Sequence, residues 1–237
     1  MAMSYVIAEA GTNHAHRDLE QRVKRALELI SAARNAGADA VKFQAFFPDE
    51  PLFCPYDGDD KRWPRWNDSF LPEAAWASLH EIARLRGIDL LFSVFQPRGI
   101  AMLKEIKPRY IKVASRAAKN FPYDDFRKND IVASCGLVSP PSRVHRLQCS
   151  MKYPTPLKEA RWEEWHPDDG PFTSGLSDHS GTIWPGIDAI LRGAKFLEVH
   201  FNIPGCDPGP DAPVCLTTDQ LKLLCEAREA ARQMDGG

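Results

Sequence analysis

The sequence predicts an α/β fold, a (β/α)8 barrel, and three observations carry that expectation. Short apolar or β-branched runs alternate with segments of helical periodicity, and the alternation recurs eight times. The length, 237 residues, suits one such barrel, for which ~250 residues is typical. No Gly-x-Gly-x-x-Gly turn follows the first apolar run, which counts against the runner-up, an open doubly wound sheet.

The elements follow in order. YVIAEAG (5–11) reads as the first strand. LEQRVKRALELISAARNAG (19–37) reads as an amphipathic helix, with Val23, Ala26, Leu27, Ile30 and Ala33 on one stripe and Gly37 as its stop. AVKFQAF (40–46) is the second strand, EAAWASLHEIARLRG (73–87) a helix and LLFSVF (90–95) the third strand. RGIAMLKEI (98–106) is a helix, RYIKVAS (109–115) a strand and YDDFRK (123–128) a weak helix. DIVASCG (130–136), VHRLQCS (144–150) and FTSGLSDHS (172–180) read as strands. IWPGIDAILRGA (183–194) is a helix, FLEVHF (196–201) the eighth strand, and TTDQLKLLCEAREAARQM (217–234) a closing helix capped by its threonines.

Two places depart from an even alternation. Residues 47–71, polar and rich in Trp and Pro, are too long for a plain connection, and loops of that length are often functional. LVSPPSR (137–143) is too short for a crossover helix, so the barrel is expected to be pared down, its fifth helix reduced or missing. A neighbouring subunit could cover that flank, and a homodimer or other homo-oligomer is expected.

Composition narrows the function classes. Hydrophobic content of 43% and charged content of 26% suit a globular core, and the net charge of −2 offers neither a nucleic-acid face nor a polybasic membrane patch. No apolar stretch approaches the ~20 residues of a spanning helix, and the N-terminus lacks the pattern of a secretory leader. The six cysteines show no paired spacing, which favours reduced thiols and a cytoplasmic location.

The polar residues collect at the strand ends, which in a barrel line one shared mouth. In order these are Glu9, Lys42 and Gln44, Ser93, Lys112 and Ser115, Ser134, Ser150 and Tyr153, Ser177 and His179, then Glu198 and His200. Strands of parallel sheets are normally near-continuous apolar runs, so Lys42 and Lys112 break the pattern. Either lysine alone could snorkel to the rim. Two together converge on one mouth and call for an anion, with the serines completing a pocket for phosphate and carboxylate. His179 and His200 could each be a satisfied core histidine. At adjacent strand ends, beside Glu9 and Asp211, they also suit a shared Mn2+, Fe2+, Co2+ or Zn2+ acting as a Lewis acid. His80, His145 and His166 read as surface or packing residues.

IAEAGTNH (7–14), AGADAVKFQAF (36–46), YIKVAS (110–115), YPTP (153–156), LSDHSG (176–181), GAKFLEVHF (193–201) and PGPDAP (208–213) together resemble the N-acetylneuraminate (sialic acid) synthase family. That family also includes pseudaminic and legionaminic acid synthases, and the resemblance is collinear over nearly the whole chain. It implies a transferase of carbohydrate biosynthesis that condenses phosphoenolpyruvate with a sugar-like aldehyde, releasing phosphate and a 2-keto-3-deoxy acid. It places the metal ligands on His179 and His200, with Mn2+ first and Mg2+ admitted beside Co2+, Fe2+ and Zn2+. It places phosphoenolpyruvate on Lys42, Lys112, Ser115, Ser134 and Ser177. Glu9 handles the attacking water, His179 and Asp211 join the catalytic set, and Gln44, Tyr153 and Asp211 hold the acceptor.

The departures from the family pattern carry their own implications. Ala15-His16 replaces an Asn-Gly pair, Val94 a threonine, Met151 an asparagine and Ala117 an acidic residue. The Val94 and Met151 changes imply hydrogen-bonding groups lost from the mouth, hence an acceptor smaller or more apolar than N-acetylmannosamine. Residues 1–237 are expected to form a single barrel domain without the family's C-terminal antifreeze-like domain. Two other functions remain open on the residues: a barrel aldolase, lyase or isomerase acting on a phosphorylated sugar acid, and a non-catalytic phosphoenolpyruvate-binding protein.

Overall fold

A computed structural model describes residues 4–163 and 173–234; Phe172 and His166 lie outside them. Eight parallel strands form one sheet: β1 Tyr5–Gly11, β2 Ala40–Ala45, β3 Asp89–Val94, β4 Ile111–Val113, β5 Ile131–Ser134, β6 His145–Cys149, β7 Gly175–Asp178 and β8 Phe196–His200. Their order is β3-β2-β1-β8-β7-β6-β5-β4, and β3 and β4 approach each other to close the ring. The expected (β/α)8 barrel is present.

Side-chain alternation along each strand divides the apolar residues into two layers. Ile7, Ala40, Leu91, Val132, Leu147 and Phe196 fill the barrel's N-terminal half. Rings of Tyr5, Tyr110 and His145 plug that end around Phe196, so His145 is a packing residue as expected. The opposite set, including Val41, Phe43, Phe92 and Leu197, faces outward and packs on the helices. Burial of a Leu or Phe there contributes about 1.5–3 kcal/mol, enough for the outer layer to fix the strand register.

The helices α1 Leu19–Asn35, α3 Glu73–Leu85, α4 Pro97–Ile106, α5 Trp184–Leu191 and α6 Thr218–Met234 match the expected segments within a few residues. Asp18 caps α1 by accepting from the Gln21 N–H at 3.0 Å. Thr217 and Gln220 satisfy each other's backbone N–H groups at the start of α6, a reciprocal capping box.

Three differences are informative. The long 47–71 segment contains a helix, α2 Trp63–Ser69, whose Pro64 lies in the first turn and whose Trp66 is buried. The weak helix expected over 123–128 is instead two single turns, Tyr123–Asp125 and Lys128–Asp130, since six residues after Pro122 cannot recover the cost of helix nucleation. The fifth helix is missing as expected, and the thinning extends further: among the described residues, the β4–β5 and β6–β7 connections also lack α-helices. Phe121, Tyr123, Phe126, Val138 and Trp162 cover that flank instead.

Among the described residues, no helix is long and apolar enough to cross a membrane. His14 is fully buried against Phe43 and Trp76, and burial pushes its pKa down to about 4. An unfolded histidine takes up its proton near pH 6.5, whereas the folded one stays neutral until about pH 4. Stability contributed by this neutral group is therefore present above pH 6.5 and is lost as pH falls toward 4, on the order of 3 kcal/mol in all. Urea midpoints at pH 7 and pH 4.5 should show this loss, and His14→Leu should shrink it.

Candidate functional site

The two-residue period that turns Ile7, Leu91 and Phe196 inward also turns the polar groups inward one layer higher. Glu9, Lys42, Ser93, Lys112, Ser134, Ser177 and Glu198 are all buried there. Lys42 Nζ lies 2.7 Å from Glu9 Oε2 and donates to Ser93 Oγ at 3.0 Å. Lys112 Nζ donates to Ser134 Oγ at 2.8 Å, and Ser177 Oγ donates to Glu198 Oε1 at 2.7 Å. Glu198 stands between the lysines, 3.8 Å from Lys42 and 3.4 Å from Lys112.

These distances revise the picture of two free cations awaiting an anion. Neither lysine snorkels to the rim, and the chain supplies two carboxylates of its own. Only the Lys42–Glu9 contact is closed, however. Charge-assisted hydrogen bonds run at about 2.7–2.9 Å, so Glu198 holds both ammoniums without closing on either. Its Oε2 is buried with no hydrogen-bond donor.

The protonation states follow from these neighbours. Burial alone would raise the Glu198 pKa, but Lys112, Lys42 and the Ser177 hydroxyl pull it down to about 2. Burial opposes the charge on Lys42, yet Glu9 and Glu198 outweigh it and hold its pKa above the ordinary lysine value. For Lys112 burial prevails, and its pKa falls below that value. Cys149, on the same inner face of β6, is pushed up to about 11 by burial and stays a thiol.

Above this layer stand the histidines. The rings of His179 and His200 are 5.2 Å apart between centroids. His179 Nδ1 is 2.7 Å from the Ser150 carbonyl, which can only accept, so the proton sits on Nδ1 and Nε2 keeps its lone pair. Burial, with His200 adding to it, pushes the His179 pKa down to about 3, and the ring is neutral near pH 7. Tyr153 lies against the His179 ring at 4.2 Å and donates its hydroxyl to Nε2 at 2.9 Å. His200 Nδ1 is 3.7 Å from Asp211 Oδ2. Gln44 donates to Glu9 Oε1 at 3.2 Å.

Gly11 allows this convergence. The β1 register shifts between Glu9 and Gly11, where φ is +51°. A Cβ at Gly11 would meet Asp211, Gln44 and Glu9 at 3.4–3.6 Å, so a side chain there would have to pass among three site residues. A polar cavity of about 260 Å3 opens at the ends of β5, β6 and β7, lined in part by Gly136, Cys149, Ser150, Ser177 and His179.

The sequence-derived residues therefore fall into one buried ladder (Glu9, Lys42, Lys112, Ser134, Ser177), with the half-buried Gln44 beside Glu9 and with His179, His200, Tyr153 and Asp211 above it. Ser115 is buried nearby but is not joined to the ladder; its Oγ accepts the Leu137 N–H at 2.7 Å and so holds the loop after β5. One assumed mouth position is corrected. Val94 faces outward against Gly99 of α4, because Ser93 takes the inward position; Ala117, the other departure noted there, is buried in the outer apolar layer. Neither lines the mouth, whereas Met151 is exposed beside Gly136. Glu198, given no role from the sequence, is the counter-ion shared by both lysines. Its position two residues before His200 placed it on the same inward face.

Among the described residues, no group of three or more His, Cys, Asp or Glu side chains is arranged to cage an ion. The donors available to a metal are the two imidazoles, with other coordination positions left to ligands from outside the chain.

The NeuB family model matches residues 29–139 and 131–237. The chain is 27% identical to N,N'-diacetyllegionaminic acid synthase of Campylobacter jejuni, over all of this chain and 79% of that one. It is 26% identical to the N-acetylneuraminate-9-phosphate synthase of Homo sapiens, over 93% of this chain and 68% of that one. The fold is that of the N-acetylneuraminic acid (sialic acid) synthetase from Leptospira borgpetersenii, solved with citrate, at a TM-score of 0.78, 22% identity and coverage of 100% and 86% of the two chains.

Proposed function

The chain belongs to the NeuB family, and from that premise we propose that it condenses phosphoenolpyruvate with a sugar-like aldehyde, giving a 2-keto-3-deoxy acid and phosphate. The observation that carries the proposal is the buried ladder of Lys42, Glu9, Glu198 and Lys112 directly beneath a pair of histidines. Phosphoenolpyruvate brings a phosphate and a carboxylate, and the ammoniums of Lys42 and Lys112, on neither of which Glu198 closes, can each turn a donor toward them. Ser134 and Ser177 supply hydroxyls on the same face. Fixing both anionic groups by pre-placed donors orients the enol carbon and stabilises charge without reorganising solvent.

The enol C3 then forms a bond to the aldehyde carbon as the carbonyl π bond breaks, leaving an alkoxide, and positive charge develops at C2. A water adds to C2, and one of its protons passes through Glu9, whose oxygens face Lys42 and Gln44, to the alkoxide, which becomes a hydroxyl. The C2–O bond to the phosphate breaks, phosphate leaves with the second water proton, and C2 becomes the ketone. Burial of the ladder keeps bulk water from the developing cation.

The residues fit a divalent ion. His179 is neutral with its Nε2 lone pair directed away from the backbone, the donor form a metal requires, and His200 is its neighbour. When bound there, an ion such as Mn2+ would supply Lewis-acid polarisation of the aldehyde oxygen. Tyr153 occupies that lone pair and so competes with the ion. Tyr153→Phe removes one hydrogen bond worth about 1 kcal/mol, and should tighten Mn2+ binding by roughly fivefold in a calorimetric titration. Unchanged or weaker binding would contradict the competition.

The test of the reaction is phosphate release from phosphoenolpyruvate measured against a panel of aldehydes. Release is expected only when an aldehyde is present and is expected to stop with EDTA. Release without aldehyde, or insensitive to EDTA, would overturn the proposal. One observation favours a second reading: the lowered pKa of Lys112 suits a Schiff-base lysine of an aldolase. Borohydride with a keto-sugar phosphate would then add a fixed mass at Lys112, and no such adduct is expected here.

A further inference from the structure

The long 47–71 segment has a role that the reaction alone does not require. Within it, α2 is anchored by Trp66, which is buried and stacked on Phe46 at 4.5 Å, and Phe46 in turn stacks on Phe95. That anchor leaves the neighbouring Arg65 between the loops that follow the adjacent strands β1 and β8. Its Nε donates to Thr12 Oγ1 at 2.7 Å and its Nη2 to the Thr12 carbonyl at 3.2 Å. Toward the other side, Nη1 donates to Asp207 Oδ2 at 3.0 Å and Nη2 to the Asp207 carbonyl at 2.5 Å. Gly209 packs against the guanidinium with φ +56°, and a Cβ there would sit 2.6 Å from Arg65 Cζ and push the guanidinium aside.

Asp207 and Gly209 belong to the excursion after β8. Its two ends are tied together, Asn202 N–H to the Leu216 carbonyl at 3.0 Å and Leu216 N–H to the His200 carbonyl at 2.8 Å. Inside it the turn Gly209–Val214 carries Asp211 to 3.7 Å from His200. On its far side the Pro213 carbonyl packs on Gly181 so closely that a Cβ there would lie 2.4 Å away. The excursion is thus gripped at two points, and one of them is a single guanidinium that also holds the loop after β1.

We propose that Arg65 is a positioning residue: α2 acts as a strap, and its guanidinium sets the 203–214 excursion, and with it Asp211, in the barrel mouth. The link from Asp211 to the acceptor rests on the function proposed above; the strap itself does not. A planar fork is needed because two loops must be reached at once. Lysine, with one nitrogen on a flexible stem, cannot span Thr12 and Asp207 together. The Lys42–Glu9–Glu198–Lys112 ladder makes no contact with Arg65, so phosphoenolpyruvate binding should not depend on it.

Hydrogen exchange read by mass spectrometry tests the strap in the full chain without any substrate. In Arg65→Ala and Arg65→Lys, peptides covering 203–214 should exchange about tenfold or more faster while the strand peptides stay as in the wild type, the consequence of losing several charge-assisted hydrogen bonds. Asp207→Ala should act in the same direction but less, and its side chain is 71% exposed, so it leaves the core intact if Arg65→Ala does not fold. In turnover, Arg65→Ala should raise the aldehyde KM about tenfold and leave the phosphoenolpyruvate KM within about twofold, and adding it to Asp211→Asn should cost little more, as expected for residues acting through one another. Unchanged exchange over 203–214, or equal rises in both KM values, overturns the strap. A wild-type protein inert toward phosphoenolpyruvate would sink the reaction instead, and the exchange result would still decide the strap.

Discussion

Glu198→Gln is expected to lower the melting temperature by about 10 °C and to remove most activity. Glu198 is buried between two buried ammoniums, 3.8 and 3.4 Å away, and its carboxylate is held down to about 2 by them. The amide keeps the shape and loses the charge. Lys112 is then left with Ser134 and a backbone carbonyl, facing Lys42 across the gap. Removing one partner of a buried ion pair costs about 3–5 kcal/mol, and in a chain of this size each kcal/mol moves the melting temperature by about 2–4 °C. The sign with pH follows from the same shift. A carboxylate whose folded pKa lies below its ordinary 4.5 stabilises above pH 4.5, and that stabilisation is lost as pH falls toward 2. The wild type should therefore lose more stability between pH 4.5 and 2 than the variant does. Melting curves at pH 7 check the main claim: a shift under about 2 °C would mean that the lysines do not depend on Glu198.

His179→Ala is expected to abolish tight Mn2+ binding and to cut turnover about a thousandfold, the size of several kcal/mol of lost Lewis-acid stabilisation. The variant should fold, because His179 bonds only to loop groups, the Ser150 carbonyl and the Tyr153 hydroxyl, with the Cys149 thiol at 3.8 Å. Calorimetry with MnCl2 and the phosphate assay read the two effects separately. Retained turnover with retained metal affinity would remove the histidine pair from the site.

Much of this site was legible in the sequence because barrel strands have a period of two. Lys42 and Gln44, Ser177 and His179, Glu198 and His200 are spaced to share the inward face, and each pair does so. The contacts among them were less legible, because they depend on register between strands distant in sequence. That Glu9 stands opposite Lys42, and Glu198 opposite Ser177, is set by how the outer apolar layer docks on the helices. The same alternation, applied strictly, would have turned Val94 outward once Ser93 was placed inward. The α2 helix was hidden because its seven residues carry a proline and two tryptophans, and tertiary burial of Trp66 rather than periodicity supports it. The Arg65–Asp207 contact joins residues 142 positions apart, beyond the reach of any local pattern. The lack of α-helices after β4 and, among the described residues, after β6, unlike that after β5, left no short gap to betray it.

In the proposed reaction phosphate leaves by rupture of the C2–O bond after carbon–carbon bond formation. Turnover in water enriched in 18O, with the phosphate read by 31P NMR, tests this most directly. Aldehyde-dependent phosphate is expected to carry no 18O, because water attacks carbon. Phosphate carrying the label, or released without aldehyde, would mean that water attacks phosphorus, and would contradict it.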